Sequence, residues 1–262
     1  MNRSIDLNCD MGESFGRYTI GRDEEMMSYI TAANIACGGH AGDPDVMDRT
    51  VALAKEHGVA VGAHPGFPDL HGFGRRMINY SVEEVYRLVV YQVGALQAFC
   101  QVHHLEMQHV KAHGALYNLA GKDRRVALAI AQAIHDIDCS LILYGLAGSE
   151  LLTAGRDCGL RVASEVFADR TYQADGSLTP RGEKGAVIED AGHAVRQVKR
   201  MITDGVVEAI DGTLVNIEAD TICLHGDGAH TVAFASQLRK ALEQIGITVR
   251  AIEKDNAAWK LE

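Results

Sequence analysis

The sequence lacks the features of a membrane or exported protein. No stretch approaches the roughly 20 consecutive apolar residues that cross a bilayer, and residues 1–10 contain no apolar core of a signal peptide. Basic residues are not in excess either, because 25 Lys and Arg stand against 35 Asp and Glu, a formal net charge of −10. Phosphate backbones are bound by basic surfaces. We therefore expect a soluble, cytoplasmic protein with no nucleic-acid and no membrane partner.

Several short motifs with known chemistry are also missing. The six cysteines include no Cys-x-x-Cys pair, which argues against structural zinc and favours reduced thiols. No G-x-x-x-x-G-K-[ST] motif occurs, since Gly121-Lys122 is followed by Asp123, so any ATP is not bound through a P-loop of this chain. Neither a Gly-x-Ser-x-Gly elbow nor an H-E-x-x-H helix is present. Serine-nucleophile chemistry is therefore not expected.

The sequence does contain short apolar runs that alternate with longer amphipathic stretches. This alternation predicts one α/β domain, residues 1–262, with a parallel sheet that is open or closed. Asp43 and Gly58 bracket one predicted helix as caps, and Ser81 with Glu84 forms a capping-box signal for another. The predicted strands are 5–10, 32–37, 59–64, 109–113, 141–144, 161–167, 221–225 and 247–251, and the predicted helices are 43–57, 81–104, 122–137, 149–157, 190–204 and 229–245.

An ionisable residue stands at the end of nearly every predicted strand. In a parallel barrel the C-terminal ends of the strands share one face, and that face is where such folds place catalysis. These residues would therefore converge although they lie far apart in the chain, and flanking glycines would let a ligand approach the backbone. The set comprises Asp10, Glu13, His40, Asp43, His64, Lys111, His113, Glu165, Asp169, Arg170, His225 and Asp227.

Two long segments, 65–80 and 169–184, have neither a helical nor a strand period, and loops of this length in a compact domain often act as functional lids. Histidines that fall within helical patterns are predicted to be structural or on the surface instead. These are His103, His104, His135 and His193.

The residue types at the strand ends suit proton transfer and carbonyl polarisation. Asp10 or Glu13 would act as a general base toward water, and Lys111 would stabilise an oxyanion. Arg170 would hold a substrate carboxylate through two parallel hydrogen bonds. A divalent metal on His40, His64 and a carboxylate such as Asp10 is a further option that these ligand types leave open.

Six strings of residues resemble the LamB/YcsF lactam-utilisation family, and the resemblance runs from Asp6 to about Ala251. Two positions depart from the family pattern: Ala112 stands where a proline is usual, and Gly228 follows the His-Gly-Asp triplet where a proline is usual. The strings are LNCDMGESFGRY, AANIACGGHAGDP, GAHPGFPDLHGFGRR, VKAHGALYN, EVFADRTY and LHGDGAHTV.

The resemblance implies a distorted, seven-stranded (β/α) barrel related to the barrels of polysaccharide deacetylases. It implies cleavage of 5-oxo-L-proline to L-glutamate, coupled to hydrolysis of ATP to ADP and phosphate, with this chain working as one subunit beside B and C subunits. ATP is then a co-substrate handled at least partly by those partners, and a homo-oligomer is left open. The candidate catalytic residues are Asp10, Glu13, Lys111, His113, Glu165 and Asp169, and the candidate substrate-binding residues are His40, His64, Arg75, Tyr117, Arg170, His225 and Asp227.

Two rival functions remain open from the residues alone. One is a metal-dependent amide hydrolase or deacetylase that acts without ATP or partners. The other is a non-catalytic subunit that binds a lactam and presents it to its partners. A purely structural barrel is disfavoured, because so many buried charges are costly without a role.

Overall fold

A computed structural model of the chain describes residues 4–188, 190–224 and 231–254. In chain order its strands are β1 (Ser4–Met11), β2 (Ala32–Ala36), β3 (Ala60–His64), β4 (Met107–Lys111), β5 (Ile142–Leu146), β6 (Val162–Phe167), β7 (Val206–Glu208), β8 (Leu214–Asn216), β9 (Thr221–Leu224) and β10 (Thr248–Val249). Strands β1 to β6 and β9 pair in parallel, and β9 pairs with both β6 and β1. The sheet therefore closes into a barrel, which confirms the seven-stranded (β/α) fold that the family resemblance implies.

The helices lie between the strands in sequence. They are α1 (Asp23–Met26), α2 (Pro44–His57), α3 (Val82–Val102), α4 (Gly114–Ala120), α5 (Arg124–Ile137), α6 (Glu150–Asp157), α7 (Ala191–Asp204) and α8 (Thr231–Gln244). Among these described helices none is both long and apolar enough to cross a bilayer.

The predicted helix caps are confirmed. The Asp43 carboxylate accepts a hydrogen bond from the backbone N–H of Val46, and α2 ends at Gly58, whose φ of 65° is left-handed. The capping box of Ser81 and Glu84 is complete in both directions. These local signals start and stop the helices that cover the barrel.

Polar residues line much of the inside of this barrel, beside a small apolar cluster of Ile142, Tyr144 and Ala163. Along β1 the side chains of Leu7 and Cys9 pack into the hydrophobic core, whereas Asp6, Asn8 and Asp10 make polar contacts with residues of other barrel strands. Barrels of this type are usually filled by branched apolar side chains. The alternation therefore carries polar groups from the bottom of the barrel to its C-terminal mouth.

Several sequence-based boundaries need correction. The fourth strand ends at Lys111 and not at 113, because Gly114 adopts a φ of 54° and begins α4, with His113 as its N-terminal cap residue. The short elements α1, α4, β7 and β8 were not predicted, because three to seven residues show too little periodicity. The last predicted strand is reduced to β10, which pairs with the start of β1 outside the closed barrel. The segments 65–80 and 169–184 contain no helix or named strand, as predicted.

Candidate active site

The ammonium group of Lys111 is the centre of a buried polar cluster at the mouth of the barrel. Its Nζ lies 3.0 Å from Asp10 Oδ1 and 2.8 Å from Glu165 Oε1. It also lies 3.2 Å from Asn8 Oδ1 and 3.1 Å from Cys223 Sγ. Burial alone lowers the pKa of Lys111, but the carboxylates of Asp10 and Glu165 outweigh it and the pKa lies well above its usual value. Lys111 is therefore a charged lysine held between two carboxylates.

This arrangement bears on the predicted role of Lys111. An ammonium group has three N–H donors, and four acceptor atoms already surround it. Its main effect in the resting site is to fix Asp10 and Glu165. Donation to a substrate oxyanion would require it to exchange one of these contacts, and that role stays a prediction.

Glu165 is shared between Lys111 and a tyrosine. The hydroxyl of Tyr117 donates to Glu165 Oε2 over 2.6 Å, and burial, with the Glu165 charge next, raises the pKa of Tyr117 well above its usual value. Tyr117 lines the cavity described below, whereas Glu165 lies behind it and is fully buried. Among the described residues, Lys111 and Tyr117 therefore stand between Glu165 and a ligand in the cavity.

A second cluster lies beside the first and contains three histidines and one glutamate. One ligand atom from each of Glu13, His40, His64 and His113 lies within 4.8 Å of the others, and all four residues are buried. His40 Nε2 is 3.0 Å from Glu13 Oε1, and the rings of His40 and His113 stack with centroids 3.6 Å apart. Three imidazoles and one carboxylate form a ligand set typical of zinc and similar divalent ions.

Two backbone carbonyls determine which ring nitrogens carry protons. His64 Nδ1 lies 2.7 Å from the carbonyl oxygen of Lys111, so it carries the proton and donates. His113 Nε2 lies 2.8 Å from the carbonyl oxygen of Phe73, and it donates in the same way. The remaining nitrogens, His64 Nε2 and His113 Nδ1, then face each other 2.9 Å apart, each with a lone pair.

Two lone pairs at this distance repel each other unless a proton or a metal ion lies between them. Burial, with the neighbouring histidines next, lowers the pKa of His113 well below its usual value, and burial does the same for His40. Neutral imidazoles are the form that binds metals. The cluster therefore fits a divalent cation better than a shared proton.

The cluster differs from the metal ligands predicted from sequence. His40 and His64 are members, as expected, but Glu13 and His113 complete the group in place of Asp10. Asp10 Oδ2 is 3.3 Å from His64 Nε2, while its other oxygen is paired with Lys111. The pairing with Lys111 makes Asp10 the less suitable ligand.

Both clusters open into a cavity of about 520 Å³. Arg75, Tyr117 and Arg170 line it as well, and Phe73, Leu146 and Phe167 contribute apolar surface. The sequence-predicted residues in its wall are Asp10, Glu13, His64, Arg75, Lys111, His113, Tyr117 and Arg170. The spatial convergence expected from the strand ends is therefore present for these residues.

The guanidinium group of Arg170 donates hydrogen bonds to two backbone carbonyl oxygens nearby. Its Nε donates to the carbonyl oxygen of Ala186 over 3.2 Å, and its Nη2 donates to that of Thr179 over 2.5 Å. These bonds join the two sides of the loop that contains Arg170, so the predicted grip on a substrate carboxylate would have to use the remaining N–H groups. Arg75 is exposed, and its guanidinium carbon lies 5.0 Å from the centre of the Phe73 ring.

The cavity wall does not account for every predicted residue. Asp169 does not line the cavity, and its carbonyl oxygen accepts a hydrogen bond from the backbone N–H of Ile188 at the base of the loop. His225 and Asp227 lie outside the described residues.

Comparison with known proteins places this site in a family. Residues 5–257 match the LamB/YcsF family. The chain belongs to this family. It is 62% identical over 253 residues to a protein of Geobacillus kaustophilus named as the A subunit of 5-oxoprolinase, covering 97% of this chain and 98% of that one. A protein of Bacillus subtilis with the same name is 57% identical over 253 residues, with the same coverage.

A solved structure agrees with this assignment. The crystal structure of a lactam utilization protein from Thermus thermophilus superposes with a TM-score of 0.90 at 48% identity, covering 95% of this chain and 100% of that chain. The LamB/YcsF strings noted in the sequence meet in space at the described part of the site. Four of these strings supply residues to the two clusters. The first supplies Asp10 and Glu13, the second His40, the third His64, and the fourth Lys111 and His113.

Sequence reasoning missed the residues that support the LamB/YcsF site from below. Asn8, Asn34 and His109 are fully buried inside the barrel, and each contacts another member of the polar cluster. A signal was present in β1, where Asp6, Asn8 and Asp10 recur at every second position. A strand with a polar side chain at every second position inside a closed barrel indicates a polar interior.

Proposed function

We propose that this chain is the A subunit of an ATP-dependent 5-oxoprolinase, which opens 5-oxo-L-proline to L-glutamate while ATP is hydrolysed to ADP and phosphate. The observation that carries the proposal is the pair of adjoining clusters, Lys111 with its two carboxylates and the Glu13 and histidine group, at the end of one cavity. Relatives that are 57% to 62% identical over nearly the whole chain bear this name.

The chemistry of the site suits a lactam. Amide resonance makes an unstrained lactam a poor electrophile, so its carbonyl must be activated before water attacks. Asp10 is the candidate general base, because Lys111 holds one of its oxygens and leaves the other facing His64 at the cavity wall. Arg75 is the candidate partner for the substrate carboxylate, since it is a cation in the same cavity wall.

We propose that Glu13, His40, His64 and His113 hold a divalent metal ion. The facing lone pairs of His64 and His113 and the buried neutral state of His40 and His113 support this assignment. A metal bound there would polarise a carbonyl or phosphoryl oxygen, or acidify a water molecule. The roles of Asp10, Lys111 and Tyr117 are the same whether the metal would polarise an oxygen or acidify a water molecule.

The division of labour with other subunits is part of the proposal. The relatives' name, which designates one lettered component of an enzyme, supports a multi-subunit assembly, and the absence of a P-loop motif in the sequence supports ATP being bound at least partly by B and C subunits. We also propose a single domain spanning 1–262 and a cytoplasmic location. A homo-oligomer of this chain stays a prediction.

The test is glutamate release from 5-oxoproline by the purified chain alone and after addition of its B and C partners, each with and without ATP. We expect glutamate only when all three subunits and ATP are present. Full ATP hydrolysis by this chain alone would contradict the division of labour. No glutamate from the complete, folded complex would contradict the function.

The metal cluster also favours a second candidate, a metal-dependent amide hydrolase that acts alone. Its buried set of three histidines and one glutamate has the ligand types of catalytic metal sites. Glutamate release by the metal-loaded chain without ATP or partners, abolished by a chelator, would favour this candidate over the first.

A further inference from the structure

Asn34 lies beneath the catalytic cluster, inside the barrel, and is fully buried. It stands on β2 directly opposite Asp10 of β1. Its Nδ2 donates to Asp10 Oδ1 over 2.9 Å and to Asn8 Oδ1 over 2.7 Å. Both amide hydrogens are therefore used, and both go to groups that also contact Lys111.

The Asp10 carboxylate can only accept, which sets the orientation of this amide, and His109 complements it from the opposite side. His109 Nε2 lies 2.7 Å from Asn34 Oδ1, an oxygen that can only accept, so His109 carries its proton on Nε2. The His109 ring stacks on Tyr144 with centroids 4.2 Å apart. A side chain at Gly62 would collide with this ring, so the glycine leaves the space that His109 occupies. A flipped amide would bring Asn34 Oδ1 against Asp10 Oδ1, a carboxylate oxygen that can only accept.

Asn8 is held in the same way by the layer below. Its Nδ2 donates to Thr221 Oγ1 over 2.8 Å, and Thr221 in turn donates to Asp6 Oδ2 over 2.5 Å. Asn8 Oδ1 is thereby left facing Asn34 and Lys111. The amides of Asn8 and Asn34 thus form a rigid, oriented layer beneath Asp10 and Lys111.

We propose that Asn34 is a positioning residue of this enzyme, which holds Oδ1 of Asp10 so that Oδ2 faces the cavity. The inference rests on the proposed function for its kinetic consequence. Asp10 Oδ1 accepts from two donors, Asn34 and Lys111, and this prevents the carboxylate from rotating. An apolar side chain would fill the barrel at lower desolvation cost but would leave the carboxylate able to turn.

The kinetic test uses the reconstituted complex with Asn34→Ala, Asp10→Asn and the double variant. We expect Asn34→Ala to lower kcat by about 10- to 100-fold, the scale of a misplaced catalytic group, with KM for 5-oxoproline nearly unchanged. Because Asn34 acts through Asp10, the double variant should be no slower than Asp10→Asn alone. Losses that multiply in the double variant, or normal activity of Asn34→Ala in an active complex, would overturn the proposal.

Controls separate positioning from folding. Cys100→Ala, a buried change in α3 at a residue that does not line the cavity, should keep wild-type kcat. His109→Phe keeps a ring between Gly62 and Tyr144 but removes the N–H that orients Asn34, and it should lower kcat in the same direction even if Asn34→Ala does not fold.

A structural readout is independent of the reaction. Crystal structures of Asn34→Ala, or of His109→Phe if the former does not fold, should show the Asp10 carboxylate rotated or displaced by more than about 0.5 Å, the tolerance of a productive site. An unmoved carboxylate would contradict the positioning role. An inactive wild-type complex with a displaced carboxylate in the variant would instead contradict the proposed function alone.

Discussion

His64 Nε2 and His113 Nδ1 lie 2.9 Å apart, and the other nitrogen of each ring faces a backbone carbonyl. The main chain thus fixes both rings with their lone pairs directed at one point. Glu13 Oε1 lies 3.6 Å from the same His113 nitrogen. This relationship makes the cluster a candidate ligand set for a cation, and it leads to the first prediction.

After loading and gel filtration, the wild-type chain should carry about one equivalent of Zn²⁺ by mass spectrometry of the metal. His113→Ala and Glu13→Gln should lose most of it, because each removes one of four ligands. Asp10→Asn should retain it, since Asp10 is paired with Lys111 instead.

His103→Ala serves as the matched control, because His103 forms a partly exposed ion pair with Asp48 away from the cluster. Metal retained by His113→Ala, or lost equally by the control, would contradict the assigned ligands.

The second prediction concerns the stability provided by Lys111. Lys111→Met would leave Asp10 and the fully buried Glu165 facing each other without a cation. We expect a loss of about 3–5 kcal/mol in the free energy of unfolding, the usual result of breaking a buried pair. Urea denaturation at neutral pH measures it.

A compensating change tests the cause of this loss. Lys111→Met combined with Glu165→Gln removes one of the two negative charges that face each other. It should therefore recover part of the lost free energy of unfolding. If Glu165→Gln lowers the free energy of unfolding as much in the Lys111→Met variant as it does in the wild-type chain, the electrostatic explanation is wrong.

The third prediction is a pH dependence from the bottom of the barrel. Burial raises the pKa of Asp6 from 3.8 to about 6, although hydroxyls of Thr31, Thr221 and Tyr144 donate to it. The folded protein therefore binds this proton more tightly than the unfolded chain does. The resulting stability is complete below about pH 4 and is lost as the pH rises through about 6.

Asp6→Asn removes this titration. Relative to wild type, its free energy of unfolding should improve by up to about 3 kcal/mol between pH 4 and pH 7, the equivalent of a pKa shift of about two units. Glu56→Gln, at an exposed position of α2, is the control and should show no such trend. If the difference in free energy of unfolding between Asp6→Asn and wild type stays constant across this range, Asp6 is not the source of the pH dependence.

Local signals in the sequence predicted the strands and the polar residues at their ends, whereas the closed barrel was implied by the resemblance to the LamB/YcsF family. Short apolar runs located the strands, and Asp10, His64 and Lys111 could be placed at strand ends without coordinates. The support beneath them was not predictable in this way, since Asn34 and His109 meet only through the pairing of strands and the closure of the barrel. Single residues within a strand show neither register nor direction across a barrel.

The roles of individual side chains were harder still to predict. Glu13 was expected to act as a base, but its position beside His40 and His113 makes it a metal ligand candidate. Arg170 was expected to hold substrate, but it donates to two carbonyls of its own loop. Side-chain contacts of this kind depend on the path of loops that carry no periodic signal.

Asp10, fixed by Lys111 at the cavity, is the residue proposed to act in opening the lactam. The most direct measurement is the rate of glutamate formation from 5-oxoproline and ATP by complexes that contain either the wild-type chain or Asp10→Asn. We expect Asp10→Asn to lower this rate by at least about 100-fold, with a melting temperature within a few degrees of wild type, since an asparagine oxygen can still accept from Lys111. Wild-type turnover by the Asp10→Asn complex would contradict this role of Asp10.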